Sequence, residues 1–206
     1  MEQKKSHPAI RTAFLFIGRR EVVMLGQKRG TVTLRPHETE WETAAAETVG
    51  MLKTIFGSLA VDIQHVGSTS VRGIRAKPII DIAVAARDME KIREKIPALE
   101  AAGVVFRGED HPGELLFVMG DFAADTRTHH IHVCPAEGKD WKNYLNFRDY
   151  MNAHPDRAAA YDRLKGELAA KYADDRASYT AGKADFIAGI LAEAEEWRYR
   201  EAIRKP

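Results

Sequence analysis

Between Val66 and Ile82 the chain reads Val-Gly-Ser-Thr-Ser-Val-Arg-Gly-Ile-Arg-Ala-Lys-Pro-Ile-Ile-Asp-Ile, the most informative run in its 206 residues. Gly67 lets the backbone turn, and lets a ligand come close, where a side chain would stand in the way. Ser68, Thr69 and Ser70 follow with three hydroxyls and consecutive backbone N–H groups. That combination is a nest for a phosphate, strengthened if a short helix starts there. Arg72, Arg75 and Lys77 add positive charge beside the turn. Asp81 then falls in an otherwise apolar run, where a carboxylate costs free energy unless it is hydrogen-bonded or binds a cation. A blander alternative fits the same residues: an ordinary strand-to-helix connection, with Asp81 capping a neighbouring turn.

To act together, these groups need a strand on each side of the turn. Residues 61–66 alternate apolar and polar, as a half-buried strand does. Residues 79–84 are nearly all apolar and read as a strand buried on both faces. Upstream, residues 31–35 alternate branched side chains and suggest a short strand ended by Pro36. Trp41, Ala45, Thr48, Leu52, Ile55 and Phe56 recur at steps of three and four, which makes an amphipathic helix. Glu38 or Thr39 stands where its cap belongs, and Gly57-Ser58 closes it. Downstream, a helix over 88–102, kinked at Pro97, precedes strands at 115–119 and 129–134, with a polar, turn-rich loop over 120–128. From Gly138 the pattern is helical throughout, over 141–151, 155–172 and 176–201. The last of these carries a stripe of Tyr179, Phe186, Ile187, Ile190, Leu191, Ala194 and Trp197 that must cover something apolar. The expected organisation is an extension over 1–24, an α/β core over 25–137 and a helical part over 138–206. Only Gly138-Lys139 marks the join, so the last two should pack together.

A strand, Gly-Ser, a short basic helix and a strand bearing Asp, with twelve residues between Ser68 and Asp81, resembles the nucleotidyltransferase superfamily of the polymerase-beta type. More narrowly, the chain resembles the GrpB family, whose members stand alone or are fused behind dephospho-CoA kinase. The matching pieces are Leu25-Gly26-Gln27-Lys28-Arg29-Gly30-Thr31-Val32, His65-Val66-Gly67-Ser68-Thr69-Ser70-Val71 and Lys77-Pro78-Ile79-Ile80-Asp81-Ile82. They continue through His129-His130-Ile131-His132-Val133, Phe147-Arg148-Asp149-Tyr150, His154-Pro155, Leu164-Lys165, Tyr179-Thr180 and Lys183, to cover about residues 25 to 200. The resemblance implies an α+β fold, a nucleotidyltransferase-like mixed sheet flanked by helices with a C-terminal helical part. It also implies that Gly67, Ser68, Thr69 and Ser70 hold a nucleotide's phosphates, that Lys77 neutralises developing charge, and that Asp81 coordinates a cation.

One departure stands out: the superfamily's second carboxylate falls at Ala83. Two-metal phosphoryl transfer needs charge around both cations. His130 and His132 share one face of their strand by the period of two. With Asp81 they make a candidate metal site that suits zinc, iron or manganese better than magnesium, and His132 is alternatively a general base. The competing reading is that one imidazole merely hydrogen-bonds Asp81 and orders an empty phosphate site. Glu109, Asp110 or Glu114 would supply the missing acid if the loop at Pro112-Gly113 folds inward. Arg148 either reaches a phosphate, steadied by Asp149, or ties the helical half to the sheet as an ion pair. His65 is a candidate pocket wall, Tyr179 and Lys183 share a helical face, and Cys134 reads as a small buried hydrophobe.

Composition bounds these ideas. Lys+Arg 31 against Asp+Glu 30 leaves a formal charge of +1, without the basic surplus of a strong nucleic-acid footprint. A single cysteine rules out an internal disulfide and argues for a reducing, cytoplasmic setting. No apolar run approaches the ~20 residues that span a bilayer. The expected partner is therefore a nucleotide or other phosphorylated small molecule, with a divalent metal ion, Mg or Mn and otherwise Zn. The expected activity is transfer of a nucleotidyl or phosphoryl group to a small acceptor. A non-catalytic binding module and an assembly helper acting through the helical half stay open as alternatives, as does a homodimer through the last helix.

Overall fold

The computed structural model describes residues 25–204, so the extension expected over 1–24 lies outside the described residues. In chain order the elements begin with β1 (Gln27–Lys28), α1 (Glu40–Phe56), β2 (Ala60–Val66), β3 (Ile80–Ala86), α2 (Met89–Arg93) and α3 (Ile96–Ala101). Next come β4 (Val105–His111), β5 (Glu114–Met119), β6 (Thr126–Arg127) and β7 (His129–Pro135). Four helices finish the chain: α4 (Lys139–Ala153), α5 (Pro155–Lys171), α6 (Arg176–Ala181) and α7 (Ala184–Arg204). Five strands form one mixed sheet in the order β2-β3-β7-β5-β4, with β3 and β7 parallel and the other neighbours antiparallel. β1 and β6 pair in a separate two-stranded ribbon. The expected α+β architecture is the one the chain adopts.

The period of two sorts β3 and β7 into opposite faces. Ile80, Ile82, Val84 and Ala86 join Ile131 and Val133 in a core covered by Trp41, Ala45, Leu52 and Phe56 of α1, with Ile92 and Leu99 of α2 and α3. Each large apolar side chain buried there stabilises the fold by about 1.5–3 kcal/mol before entropy is counted. On the other face, Ala83, Ala85 and Cys134 pack with Val66 beneath Trp141 of α4. Asp81, one pleat before Ala83, keeps 29% of its side chain exposed. The apolar stripe of the C-terminal helices closes on Val71, Ile74 and the aromatic faces of α4 and α5, rather than on the sheet.

Several expectations need correction. Residues 31–34 form no strand; Arg35 makes one isolated bridge to Ala76, and the Val32 N–H instead bonds the Ala173 carbonyl at 2.7 Å. No neighbouring strand lies alongside to make a ladder. β4 escaped notice because it is a sheet edge, largely exposed and interrupted by register shifts around Gly108, so no alternation survives. β6 occupies two residues of the expected polar loop. The helix expected over 88–102 is two helices: Asp88 caps α2 through the Glu90 and Lys91 N–H groups, and Pro97 falls in the first turn of α3. The helix expected over 176–201 likewise breaks, at Gly182-Lys183.

Lys165 of α5 joins the helical part to the connection before β3. Its side chain is 1% exposed, its Nζ donates to the Arg75 carbonyl, and the Tyr161 ring lies 4.8 Å away. Burial pushes its amine from 10.5 down to about 7. The unfolded chain therefore binds more protons than the folded one between those values, so stability rises with pH across that window and levels off below about 7, where both states are protonated. The melting temperature should climb from pH 7 toward pH 10 by about 2–4 °C for each kcal/mol gained. Lys165→Met should make that climb shallower; an unchanged slope would show that this amine is not held neutral.

Candidate functional site

β2 and β3 pair so that Val66 lies opposite Asp81, and the chain leaves β2 through Gly67 directly against the Asp81 carboxylate. Gly67 has φ 70°, and a Cβ there would clash with Oδ2 and Cβ of Asp81. Both the conformation and the space require glycine. Ser68–Ser70 then make one 3-10 turn, closed by the Ser70 and Val71 N–H groups on the Gly67 and Ser68 carbonyls. The N–H groups of Ser68 and Thr69 have no acceptor among the described residues. The three hydroxyls divide. Ser68 lines the cleft beside Asp81, Thr69 is buried on His65 Nε2 at 2.9 Å, and Ser70 Oγ donates to the Gly67 carbonyl at 2.7 Å. The Ser68 amide is thus open to the cleft and its hydroxyl meets Tyr161, while Thr69, 1% exposed, and Ser70 hold the turn in shape.

β7 lies beside β3 with His130 opposite Asp81 and His132 opposite Ala83. Asp81, His130 and His132 bring donor atoms within 4.8 Å of one another, as the period of two suggested. The two imidazoles are not equivalent. His130 Nε2 lies 3.3 Å from Arg176 Nη2, and a guanidinium only donates, so Nε2 accepts and Nδ1–H is left to donate to Asp81 Oδ1 at 3.1 Å. His132 is turned the other way. Its Nδ1 meets Glu114 Oε1 at 2.7 Å, and its Nε2 faces Asp81 Oδ1 at 4.0 Å. Glu114 is 0% exposed and also accepts from the Tyr144 hydroxyl at 2.9 Å. A carboxylate behind an imidazole fixes the ring and raises the basicity of its forward nitrogen.

The charges follow from this packing. Burial alone would raise the Asp81 carboxyl, but the His130 hydrogen bond and the charges of His130, His132 and Lys77 hold it down at about 2. Burial opposes the His132 imidazolium, yet Glu114 outweighs it and raises the ring above its ordinary range. Burial, then the charges of Arg176 and Lys183, pushes Lys77 down to about 7 against the pull of Asp81. The cleft beside these groups has a volume of about 320 Å³ and is lined by Gly67, Ser68, Asp81, Tyr144, Tyr161 and Lys183, among others.

Other candidates lie apart. Arg148 donates to Gln64 Oε1, to the His65 carbonyl and to Asp149 Oδ1 at 2.9, 3.1 and 2.7 Å, so it ties α4 to β2. It lines a separate cavity of about 550 Å³ with Glu42, His65, Ser70 and Arg72. Glu109 pairs with Arg93, whereas Asp110 and Glu114 approach His132. Cys134 is fully buried, which pushes its thiol up to about 12. Ala83 is covered by α4, so an acid there would displace the helix. Sequence reasoning missed Arg176 and Tyr144, which look like ordinary helix residues until the fold turns them toward His130 and Glu114.

Residues 31–193 match the family model described as GrpB protein. The chain is 38% identical over 175 residues to the glutamate-rich protein GrpB of Alkalihalophilus pseudofirmus, covering 82% of this chain and 99% of that relative. The crystal structure of conserved protein GrpB from Enterococcus faecalis superposes with a TM-score of 0.75 at 30% identity, covering 81% of this chain and 99% of that one. A dephospho-CoA kinase of Mycolicibacterium paratuberculosis is 27% identical over 195 residues, which is 82% of this chain and 47% of that protein.

Two substitutions test the geometry. Gly67→Ala should cost about 2 kcal/mol or more, since it adds left-handed strain to a clash with Asp81; a melting temperature within a degree of the parent would contradict the close approach. Glu114→Gln should lower the His132 pKa, read by NMR titration of the ring. An unmoved titration would show that Glu114 does not set it.

Proposed function

The chain belongs to the GrpB family, and from that premise we propose that it binds a nucleotide beside Asp81 and transfers a nucleotidyl or phosphoryl group from it to a small acceptor. The observation that carries this reading is the Gly67–Asp81 contact. It sets Ser68, with its unpaired backbone amide, at the cleft next to a half-buried carboxylate. In water such a carboxylate would repel a phosphate. A divalent cation held by Asp81 and His132 would turn that repulsion into attraction and would supply polarisation of the transferring phosphoryl group.

The donor set fits such a cation. Asp81 Oδ1 and His132 Nε2 stand 4.0 Å apart, and these two atoms would hold it. One carboxylate and one imidazole suit manganese or zinc better than magnesium. His130 takes a different part, because its Nδ1–H is spent on Asp81 and its Nε2 on Arg176. It orients the carboxylate. With a cation bound, His132 Nε2 is a ligand; without one, the same nitrogen is placed to take the acceptor's proton. Glu114 holds that ring in either case. Phe147, Ile187 and Leu191 line the same cleft and limit its water.

A second reading, a nucleotide-binding module without turnover, rests on Ala83. Its place under α4 leaves no second acid on β3, and the likeness to part of a dephospho-CoA kinase suits an accessory module. Thermal shift decides first whether anything binds. Nucleoside triphosphate at about a hundred times its dissociation constant, with Mn²⁺ or Zn²⁺, should stabilise the chain by ~2.7 kcal/mol, and Asp81→Asn should abolish the metal-dependent part. Absence of any shift with nucleotide and metal would overturn both readings. Turnover that disappears in Asp81→Asn would select the transferase, and binding without turnover the module.

A further inference from the structure

Three cations from separate positions converge beside Asp81 with no carboxylate of their own. Lys77 lies just before β3, Arg176 opens α6, and Lys183 sits between α6 and α7. Among the described residues none of them makes an ion pair. Arg176 gives one N–H to His130 Nε2, and the two lysines hold no hydrogen-bond acceptor. Instead both ammonium groups lie over one buried ring: Lys77 Nζ is 5.4 Å and Lys183 Nζ 4.8 Å from the Tyr179 centroid. A ring face attracts one cation well, but two cations on one ring repel each other. Asp81 draws on Lys77 and Lys183 but already accepts from His130, and Asp162, the other acid near Tyr179, is engaged by Arg75.

Such a cluster is short of negative charge. Burial and mutual repulsion lower both Lys77 and Lys183, as expected for ammonium groups lacking counter-ions. Lys183 lines the 320 Å³ cleft together with Gly67, Ser68 and Asp81. An anion entering there meets the Ser68 amide and Lys183 on the cleft wall, with Lys77 beside Lys183 on the Tyr179 ring and Arg176 on His130. Three cations exceed the charge of a single phosphate, about −2, and are matched by a chain of phosphates.

We propose that Lys77, Arg176 and Lys183 form a subsite for a chain of two or three phosphates, so that the protein selects di- and triphosphates over monophosphates. This deepens the preceding reading and rests on its phosphate seat at Gly67-Ser68. Arg176 is held in place by His130, which leaves its remaining N–H donors for a second phosphate, and Lys77 and Lys183 flank the chain over the Tyr179 platform. The helical part thereby supplies two of the three cations, Arg176 and Lys183.

Calorimetric titration of the full chain at pH 7, without added metal, provides the test. Inorganic tripolyphosphate should bind more tightly than pyrophosphate, and pyrophosphate more tightly than phosphate. Lys183→Met and Arg176→Met should each weaken tripolyphosphate by about tenfold or more, the size of a lost charge-assisted hydrogen bond, while phosphate stays within about twofold. Lys183→Gln stands in should Lys183→Met fail to fold. Equal affinity for the three anions, or tripolyphosphate binding unchanged in the Lys183 variants, overturns the subsite. Nucleotide binding that needs Asp81 and metal but ignores Lys183 would leave the preceding reading intact and remove this one. Tripolyphosphate binding that needs Lys183, with no nucleoside triphosphate bound, would keep the subsite and remove the nucleotide.

Discussion

The site depends on how closely a backbone can approach a carboxylate. Gly67 passes so near Asp81 that no other residue fits, and this nearness is what makes a turn and an acid into one site. Were the turn a few ångströms further away, its amides would face solvent and Asp81 would be a buried charge in want of a partner. The contact in turn needs β2 and β3 in one register, Val66 against Asp81. That register is set by the face Ile80, Ile82 and Val84 show to α1, since a slip of one residue would drive Asp81 into the core. A large apolar face therefore fixes the position of a few polar atoms on the opposite side of the same strand.

That opposite face is divided between packing and chemistry. Toward the C-terminal end of β3, Ala83 and Ala85 are small enough for α4 to lie close, with Trp141 and Cys134 filling the space. Toward its start, Asp81 is uncovered. Covering Ala83 fixes α4, which carries Tyr144 to Glu114, and Glu114 in turn aims His132 at Asp81. The missing second acid and the presence of a buried carboxylate–histidine pair are thus two results of one arrangement. The negative charge absent from β3 is found two strands away, on β5, and acts through an imidazole.

Much of this was legible in the sequence, and the reason is periodicity. Apolar alternation announces β2, a nearly continuous apolar run announces β3, and the period of two puts His130 and His132 on one face of β7. Gly67-Ser68 and Asp81 could be paired because both flank a short, recognisable connection. What stayed hidden has non-local causes. The tautomer of His130 depends on Arg176, 46 residues away, and nothing near either residue advertises the bond. Glu114 was one of three acids near a turn, and only the β4–β5 hairpin geometry sets it apart from Glu109, which goes to Arg93. Of the three hydroxyls after Gly67, spacing gives no hint that two turn inward. β4 was hidden by its own exposure, since an edge strand with a bulge keeps no alternation to read.

The helical part is more than an appendage to the sheet. The Val32 N–H bonds the carbonyl of Ala173, Lys165 and Asp162 of α5 grip the backbone and side chain of Arg75, and Arg176 reaches His130. The Arg75 contacts tie the helices to the connection between the Gly67 turn and Asp81, and Arg176 ties them to the neighbouring strand β7. No helix among the described residues is long and apolar enough to cross a membrane, and the C-terminal stripe is spent on Val71, Ile74 and the faces of α4 and α5. The C-terminal helices therefore expend their apolar surface inside the chain and bring Lys183 to the cleft and Arg176 to His130. Half-buried cations drawn toward a lone carboxylate destabilise the empty protein, because their desolvation outweighs what one aspartate returns. Tolerating them is reasonable if an anion restores the balance on binding, and the strain then appears as affinity.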